Sequence, residues 1–109
     1  MMIDETTESS LAAISSSLQP AVVDLPVLKE RIIALLAHLV SPNGRSAANC
    51  QAVDMFFCLD NRWPKRALPK DFQDLLTDMG GTLHDAVAHP EIAKNFDSTP
   101  DQLLARAKN

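Results

Sequence analysis

The segment from residue 69 to residue 88 carries the strongest helical periodicity in this chain. Its apolar side chains recur at i, i+3, i+4, i+7, i+11, i+14 and i+15, and they are Phe72, Leu75, Leu76, Met79, Leu83, Ala86 and Val87. The stripe stays in phase across Gly80 and Gly81, so it predicts one helix over 69–88. Two glycines inside a helix destabilise it by about 2 kcal/mol relative to alanines. An unbroken helix therefore needs close backbone approach at this pair, and the alternative is a break there.

The rest of the chain also favours helices. Leucine and alanine supply 14 residues each, tyrosine is absent and only three glycines occur, a composition that favours helix over strand. Four prolines each precede a helix-compatible run with an acid near its start, which is typical of helix N-termini. They are Pro26, Pro69, Pro90 and Pro100. We therefore predict an all-α fold, a compact bundle of four to five helices with a weakly helical acidic N-terminal segment.

The chain divides into an acidic, serine-rich N-terminal segment, residues 1–24, and a single helical domain, residues 25–109. In the first part Leu11, Ile14 and Leu18 share one helical face, and we expect either a weak helix or a tail that orders on a partner. In the domain the patterns predict a central apolar helix over 26–40, a turn at 41–44 and a helix over 46–60 with Ser46 as its N-cap. A loop should follow at 61–68. After the 69–88 segment we predict a short helix over 90–94 and a last helix that starts at a Thr99–Gln102 capping box.

Negative charge is concentrated at the N-terminus. The first 28 residues hold four acids and no base, whereas the remaining residues hold ten acids and ten bases. The net charge is −4 and the isoelectric point is near 5.2. Since affinity for nucleic acid depends on lysines and arginines that neutralise phosphates, this balance disfavours a nucleic-acid partner.

Membrane insertion and export are disfavoured as well. The longest strongly apolar stretch without Asp, Glu, Lys or Arg is residues 32–44, which is shorter than the roughly 20 residues that a membrane span requires. The first residues include no base, which a secretory signal needs. Cys50 and Cys58 lie on one predicted helix, about 12 Å apart along its axis, too far apart for a disulfide. These features predict a cytoplasmic protein with no membrane partner.

Four aspartates border the apolar stripe of the 69–88 helix, and we call them the acidic ridge. They fall at i, i+3, i+7 and i+14, within an arc of about 60°, and they are Asp71, Asp74, Asp78 and Asp85. Such a ridge would give a basic protein partner a faster and more specific encounter. Whether a contiguous apolar patch of more than a few hundred Å² stays exposed beside these carboxylates is an observation that helps to decide. The alternative is a solvated helix face whose aspartates pair with lysines of the preceding loop.

A basic cluster around the only tryptophan precedes the ridge, at residues 62–70. Arginine and tryptophan are enriched at interface hot spots, and we include four residues of the cluster in the predicted partner-binding surface: Arg62, Trp63, Lys65 and Arg66. The alternative is that Trp63 closes one end of the core while the bases pair with the aspartates of the next helix.

The side chains that usually carry catalysis form no recognisable site in the sequence. His84 and His89 are five residues apart, whereas a helical zinc pair needs a spacing of four. His38 lies in the apolar 26–40 helix, where a hydrogen-bonded buried histidine is expected. Both cysteines lie among alanine, valine and phenylalanine without a neighbouring base, which favours core packing over nucleophilic chemistry. We predict no catalytic residue, no metal site and no cofactor.

These observations favour a non-enzymatic protein-binding module, such as a regulator, an adaptor or an inhibitor or immunity-type protein, that presents an acidic helix face to a basic partner. One alternative is a DNA-binding or transcription-associated module that uses the 46–60 helix and the basic 62–70 loop. That helix holds no lysine or arginine, and with Asn49 and Gln51 as its only amide side chains it would read bases poorly. Another alternative is a small enzyme with an unidentified substrate. The sequence leaves the oligomeric state open and is compatible with a homodimer.

Overall fold

A computed structural model of the chain describes residues 4–19, 22–58, 68–81 and 99–109. Over these ranges all the regular structure is helical, which confirms the predicted all-α bundle. The helices are α1 (Glu5–Leu18), α2 (Leu25–Val40), α3 (Ala47–Cys58), α4 (Lys70–Gly81) and α5 (Pro100–Lys108).

Helix α2 buries a continuous apolar stripe in the core, as its periodicity predicts. Its buried stripe consists of Leu28, Ile32, Leu35, Leu36 and Leu39, none of which is exposed to solvent. The helix begins at Leu25, with Asp24 as its N-cap and Pro26 in its first turn. Helices α1 and α5 both pack on α2, α3 packs on α4, and smaller contacts join α4 to α5 and α1 to α3. Each helix therefore contributes to one shared core.

The N-terminal segment contains a helix of 14 residues, α1, that packs against α2. Its Ile14 and Leu18 are buried in the core. Arg31 of α2 donates a hydrogen bond to the carbonyl oxygen of Ala13 at 2.9 Å and another to the hydroxyl of Ser17. Of the two forms expected for this segment, the structure shows the helix, already ordered on the body of the same chain.

The turn at 41–44 is present and leads directly into α3. Ser46 caps α3, because its hydroxyl oxygen accepts a hydrogen bond from the amide of Asn49 at 3.1 Å. The predicted helix over 46–60 corresponds to α3, and its last two predicted residues lie outside the described residues. Cys50 is a free, fully buried thiol in the core.

Helices α4 and α5 begin at the predicted prolines. Helix α4 starts at Lys70, directly after Pro69, and it includes both Gly80 and Gly81. Residues 82–88 of the predicted helix lie outside the described residues, as do 61–67 of the predicted loop and the predicted short helix over 90–94. At α5 the predicted capping box is formed: the Thr99 hydroxyl oxygen accepts from the Gln102 amide at 3.3 Å, and the Thr99 amide donates to the Gln102 side chain at 3.1 Å.

Candidate functional site

The described part of the acidic ridge lies on α4. Asp71 and Asp74 are exposed, and Asp78 is half-buried. The fourth member, Asp85, lies outside the described residues. The same is true of the four residues predicted from the basic cluster, Arg62, Trp63, Lys65 and Arg66. The structure thus places three of the eight predicted partner-binding residues, and it places them on one helix.

Two of these three carboxylates have basic partners within the chain. Lys70 Nζ lies 2.8 Å from Asp74 Oδ1, one helical turn earlier on α4, and this pairing raises the pKa of Lys70. Arg106 of α5 contacts Asp78 Oδ2 through Nη1 at 2.7 Å. For Asp71 no ion pair occurs among the described residues. Within the described part of the ridge, Asp74 and Asp78 are therefore ion-paired and Asp71 is not, and the Lys70 pair agrees with the solvated-face alternative.

The Arg106–Asp78 contact is expected to couple α5 to α4 energetically. Both side chains are partly shielded from solvent, with 34% and 40% exposure, so the pair should contribute at the upper end of the range for surface ion pairs, about 0.5–1 kcal/mol. A double-mutant cycle of Asp78→Asn and Arg106→Gln, measured by urea unfolding, should show a coupling free energy of that size. Strictly additive effects would mean that the contact contributes nothing to stability.

A groove of about 450 Å³ opens beside the ridge, between α4, α5 and the start of α2, and we call it the α4 groove. Its apolar lining consists of Leu25, Pro69, Phe72, Leu75 and Ala107. Its polar and charged rim consists of Lys29, Asp71, Asp74, Arg106 and Asn109. Leu75 and Ala107 belong to the buried core, whereas Leu25 and Phe72 are half-buried. The groove therefore exposes an edge of the core directly next to two ridge carboxylates.

The basic side chains on the rim are engaged with acceptors of the same chain. Lys29 Nζ donates to the carbonyl oxygen of Asn109 at 3.1 Å, and Arg106 pairs with Asp78. A second hollow of about 460 Å³ adjoins the groove, lined by Asp74, Thr77, Asp78 and Arg106. Because Asp74 and Arg106 line both hollows, the apolar groove continues into a polar extension along α4. This surface is formed by three helices from distant parts of the sequence, and only its α4 side is recognisable from the sequence pattern.

A second polar constellation, which the sequence analysis missed, fixes the start of α1 to the corner between α2 and α3. Asp4 Oδ1 accepts from the amide of Thr7 at 2.8 Å. Asp4 Oδ2 lies 2.9 Å from His38 Nε2 and accepts from Asn49 Nδ2 at 2.9 Å. An ionised carboxylate only accepts hydrogen bonds, so His38 Nε2 carries the proton in this contact. We call these residues, together with Gly44, whose carbonyl also binds Asn49, the Asp4 network.

The Asp4 network favours the ionised form of its carboxyl group. The hydrogen bond from the Thr7 amide, assisted by those from His38 and Asn49, lowers the pKa of Asp4 well below its ordinary value of 3.8, although partial burial acts in the opposite direction. His38 is hydrogen-bonded, as predicted, and its side chain is 18% exposed. Asn49 is only 2% exposed, which leaves it unavailable to an external partner. The Asp4 carboxylate and the Asn49 amide group thus find their hydrogen-bond partners within the fold.

The remaining candidates for chemistry give no site over the described ranges. Burial raises the pKa of the Cys50 thiol to about 11, with the carboxylate of Asp54 adding to the shift. A thiol of this kind is a poor nucleophile, because the thiolate is the reactive form. Among the described residues no group of three His, Cys, Asp or Glu side chains could hold a metal ion. His84 and His89 lie outside them.

No described helix combines the length and apolar character needed to cross a membrane. Comparison of the chain with profiles of known families, with characterised proteins and with solved structures found no match.

Proposed function

We propose that the protein is a non-enzymatic protein-binding module that receives a basic protein partner at the α4 groove. The observation that carries this proposal is the position of Asp71 and Asp74 on the rim of an open groove with an apolar lining. Protein interfaces combine an apolar centre with a polar margin. Carboxylates at the margin speed the approach of a basic surface and disfavour acidic competitors.

A regulator, an adaptor and an inhibitor or immunity-type protein all act by covering a surface of another protein, and the groove supports each of them equally. Asp85 belongs to the same proposal through its place on the ridge. So do Arg62, Trp63, Lys65 and Arg66, because residues 62–70 lead directly into α4. The free thiol of Cys50 suits a reducing compartment, and we place this activity in the cytoplasm.

The test is removal of the two rim carboxylates in the double variant Asp71→Asn, Asp74→Asn. Both side chains are exposed, so the free energy of unfolding should change by less than about 1 kcal/mol. Recovery of the specific partner by affinity capture from the native host, quantified by mass spectrometry, should fall roughly tenfold, which corresponds to about 1.4 kcal/mol of binding free energy.

The matched control is Glu5→Gln, Glu8→Gln, which removes the same charge from the exposed side of α1. This variant should recover the same partners as the original protein. The proposal is wrong if both double variants capture the same set at the same level, because the rim of the α4 groove would then play no part in binding.

A further inference from the structure

The chemistry of the α4 groove specifies its occupant. We infer that it receives an amphipathic cationic helix, which inserts a large apolar side chain between Leu25 and Phe72 and places a lysine or arginine beside Asp71 and Asp74. This inference rests on the proposed function and narrows its partner from a basic protein to one class of segment. Three features support it: acids on the rim that can bind a new cation, an apolar lining that is only half-buried, and walls that are formed by helices.

The rim offers an incoming segment two readily available acids, Asp71 and Asp74, against one base with an exposed and equally replaceable bond, Lys29. Asp71 has no ion pair within the described part of the chain, and the lysine that pairs with Asp74 is 81% exposed. An exposed ion pair contributes little, so Asp74 can exchange Lys70 for a partner's base with little loss. Arg106 pairs with Asp78 and Lys29 with a backbone carbonyl. The charge that the groove offers to an incoming segment is therefore negative.

The apolar lining distinguishes this occupant from a purely polar basic tail or a basic patch that touches only the rim. Leu25 and Phe72 are half-buried and continuous with the buried Leu75 and Ala107. Covering this edge removes apolar surface from water, which only an apolar side chain of the partner can do favourably. A partner that carried only charged side chains would leave the apolar lining exposed to water and would gain nothing from it.

The walls of the groove favour a helix over an extended strand. They are formed by the first turns of α2 and α4 and the last turn of α5, none of which presents the regular row of unpaired amides and carbonyls that a sheet edge provides. An extended segment needs a sheet edge to bond its backbone, as in strand addition, whereas a helix satisfies its own backbone groups and offers only side chains. On α4, Asp71 and Asp74 are about one helical turn apart, and each is followed directly by an apolar residue, Phe72 or Leu75. A facing helix can match this alternation.

The experiment measures binding of three synthetic peptides to the full-length protein by fluorescence anisotropy. The first is a leucine–lysine peptide with its leucines on one helical face. In the second, serine replaces each leucine at unchanged charge, and in the third, glutamine replaces each lysine. We expect the first peptide to bind at least about tenfold more tightly than either of the others, at physiological ionic strength where charge alone is strongly screened.

Variants of the protein assign this binding to the groove. Asp71→Asn, Asp74→Asn should weaken the leucine–lysine peptide by roughly tenfold, while Glu5→Gln, Glu8→Gln should leave its affinity unchanged. Leu25→Ser tests the lining and should also weaken binding. Because Leu25 is half-buried, circular dichroism and a urea titration must first show that this variant is folded. If it is not, Leu25→Ala, which removes most of the same apolar side chain without adding a polar group, is the alternative and should also weaken binding.

The outcomes separate this inference from the proposal on which it rests. If the serine peptide binds as tightly as the leucine peptide, charge alone is recognised and the amphipathic occupant is wrong. The same conclusion follows if none of the peptides binds while capture of the native partner still depends on Asp71 and Asp74, and in that case the proposed function survives. If capture is independent of these carboxylates as well, both are wrong.

Discussion

Gly44→Ala is expected to destabilise the protein by about 2–3 kcal/mol, because a single added methyl group would overlap the backbone of α2. A Cβ atom at Gly44 would lie 2.0 Å from the carbonyl oxygen of His38 and 2.7 Å from its carbonyl carbon. These atoms belong to the backbone of the last turn of α2 and cannot rotate away as the end of a flexible side chain can. The turn between α2 and α3 must therefore shift as a whole.

That shift also breaks hydrogen bonds that hold the turn in place. The Gly44 amide donates to the carbonyl oxygen of Ser41 at 3.1 Å, and the Gly44 carbonyl accepts from Asn49 Nδ2 at 3.0 Å. Since about 1 kcal/mol shifts the Tm of a domain of this size by roughly 4 °C or more, the variant should melt at least about 8 °C lower. Asn43→Ala, at the exposed neighbouring position, is the control and should change stability by less than about 0.5 kcal/mol. A Gly44→Ala variant with the stability of this control would contradict the close approach.

The features that the sequence predicted correctly are those determined by residues close together in the chain. The 41–44 turn, the Ser46 cap and the Thr99–Gln102 capping box each involve a span of three or four residues. The buried stripe of α2 follows from helical periodicity alone. Such signals are local, so they are readable without knowledge of the neighbouring elements, although Gly44 shows their limit: the turn was predicted, but its contact with His38 was not.

The features that could not be predicted join residues that are far apart in the chain. Helical geometry placed the aspartates of the ridge on one face, but it gave no information on which helix would pack beside them. Arg106, 28 residues from Asp78 in the sequence, therefore appeared as an ion-pair partner only in the structure. The α4 groove likewise needs the start of α2 and the end of α5. For α1, the serine-rich pattern indicated only a weak helix. The helix is stabilised by packing against α2, and this contribution is not visible in its own sequence.

Asp4→Asn is expected to reduce stability at neutral pH by about 1.5–2 kcal/mol, although the two side chains have nearly the same shape and both are good N-caps. The reason lies in the fixed orientation of Asn49. Its Oδ1 accepts from the Asp4 amide at 3.1 Å, while its Nδ2 donates to Asp4 Oδ2 and to the Gly44 carbonyl. Asn49 therefore cannot flip to suit a new neighbour.

An asparagine at position 4 must direct its NH2 group either toward the Asn49 donor or, if rotated, toward the amide of Thr7. In both orientations two donors face each other and one hydrogen bond of the Asp4 network is lost. His38 can adjust by moving its proton to the other ring nitrogen, but neither Asn49 nor a backbone amide can do the same. Glu5→Gln, one residue later and exposed, removes the same charge near the start of α1 and should reduce stability by only a few tenths of a kcal/mol.

The pH dependence of this difference distinguishes an ionised hydrogen-bonded carboxylate from a merely packed side chain. Because the pKa of Asp4 is lowered in the folded protein, its contribution is fully present above the ordinary aspartate value near 4 and is lost as the pH falls through the lower folded value. The difference in free energy of unfolding between the original protein and Asp4→Asn should thus be constant from neutral pH down to about pH 5. It should shrink steadily between about pH 4 and pH 2.5. Urea unfolding of both proteins across this range measures it. A gap that stays the same throughout would mean that the carboxylate charge does not hold α1 against the α2–α3 corner, and that shape alone does.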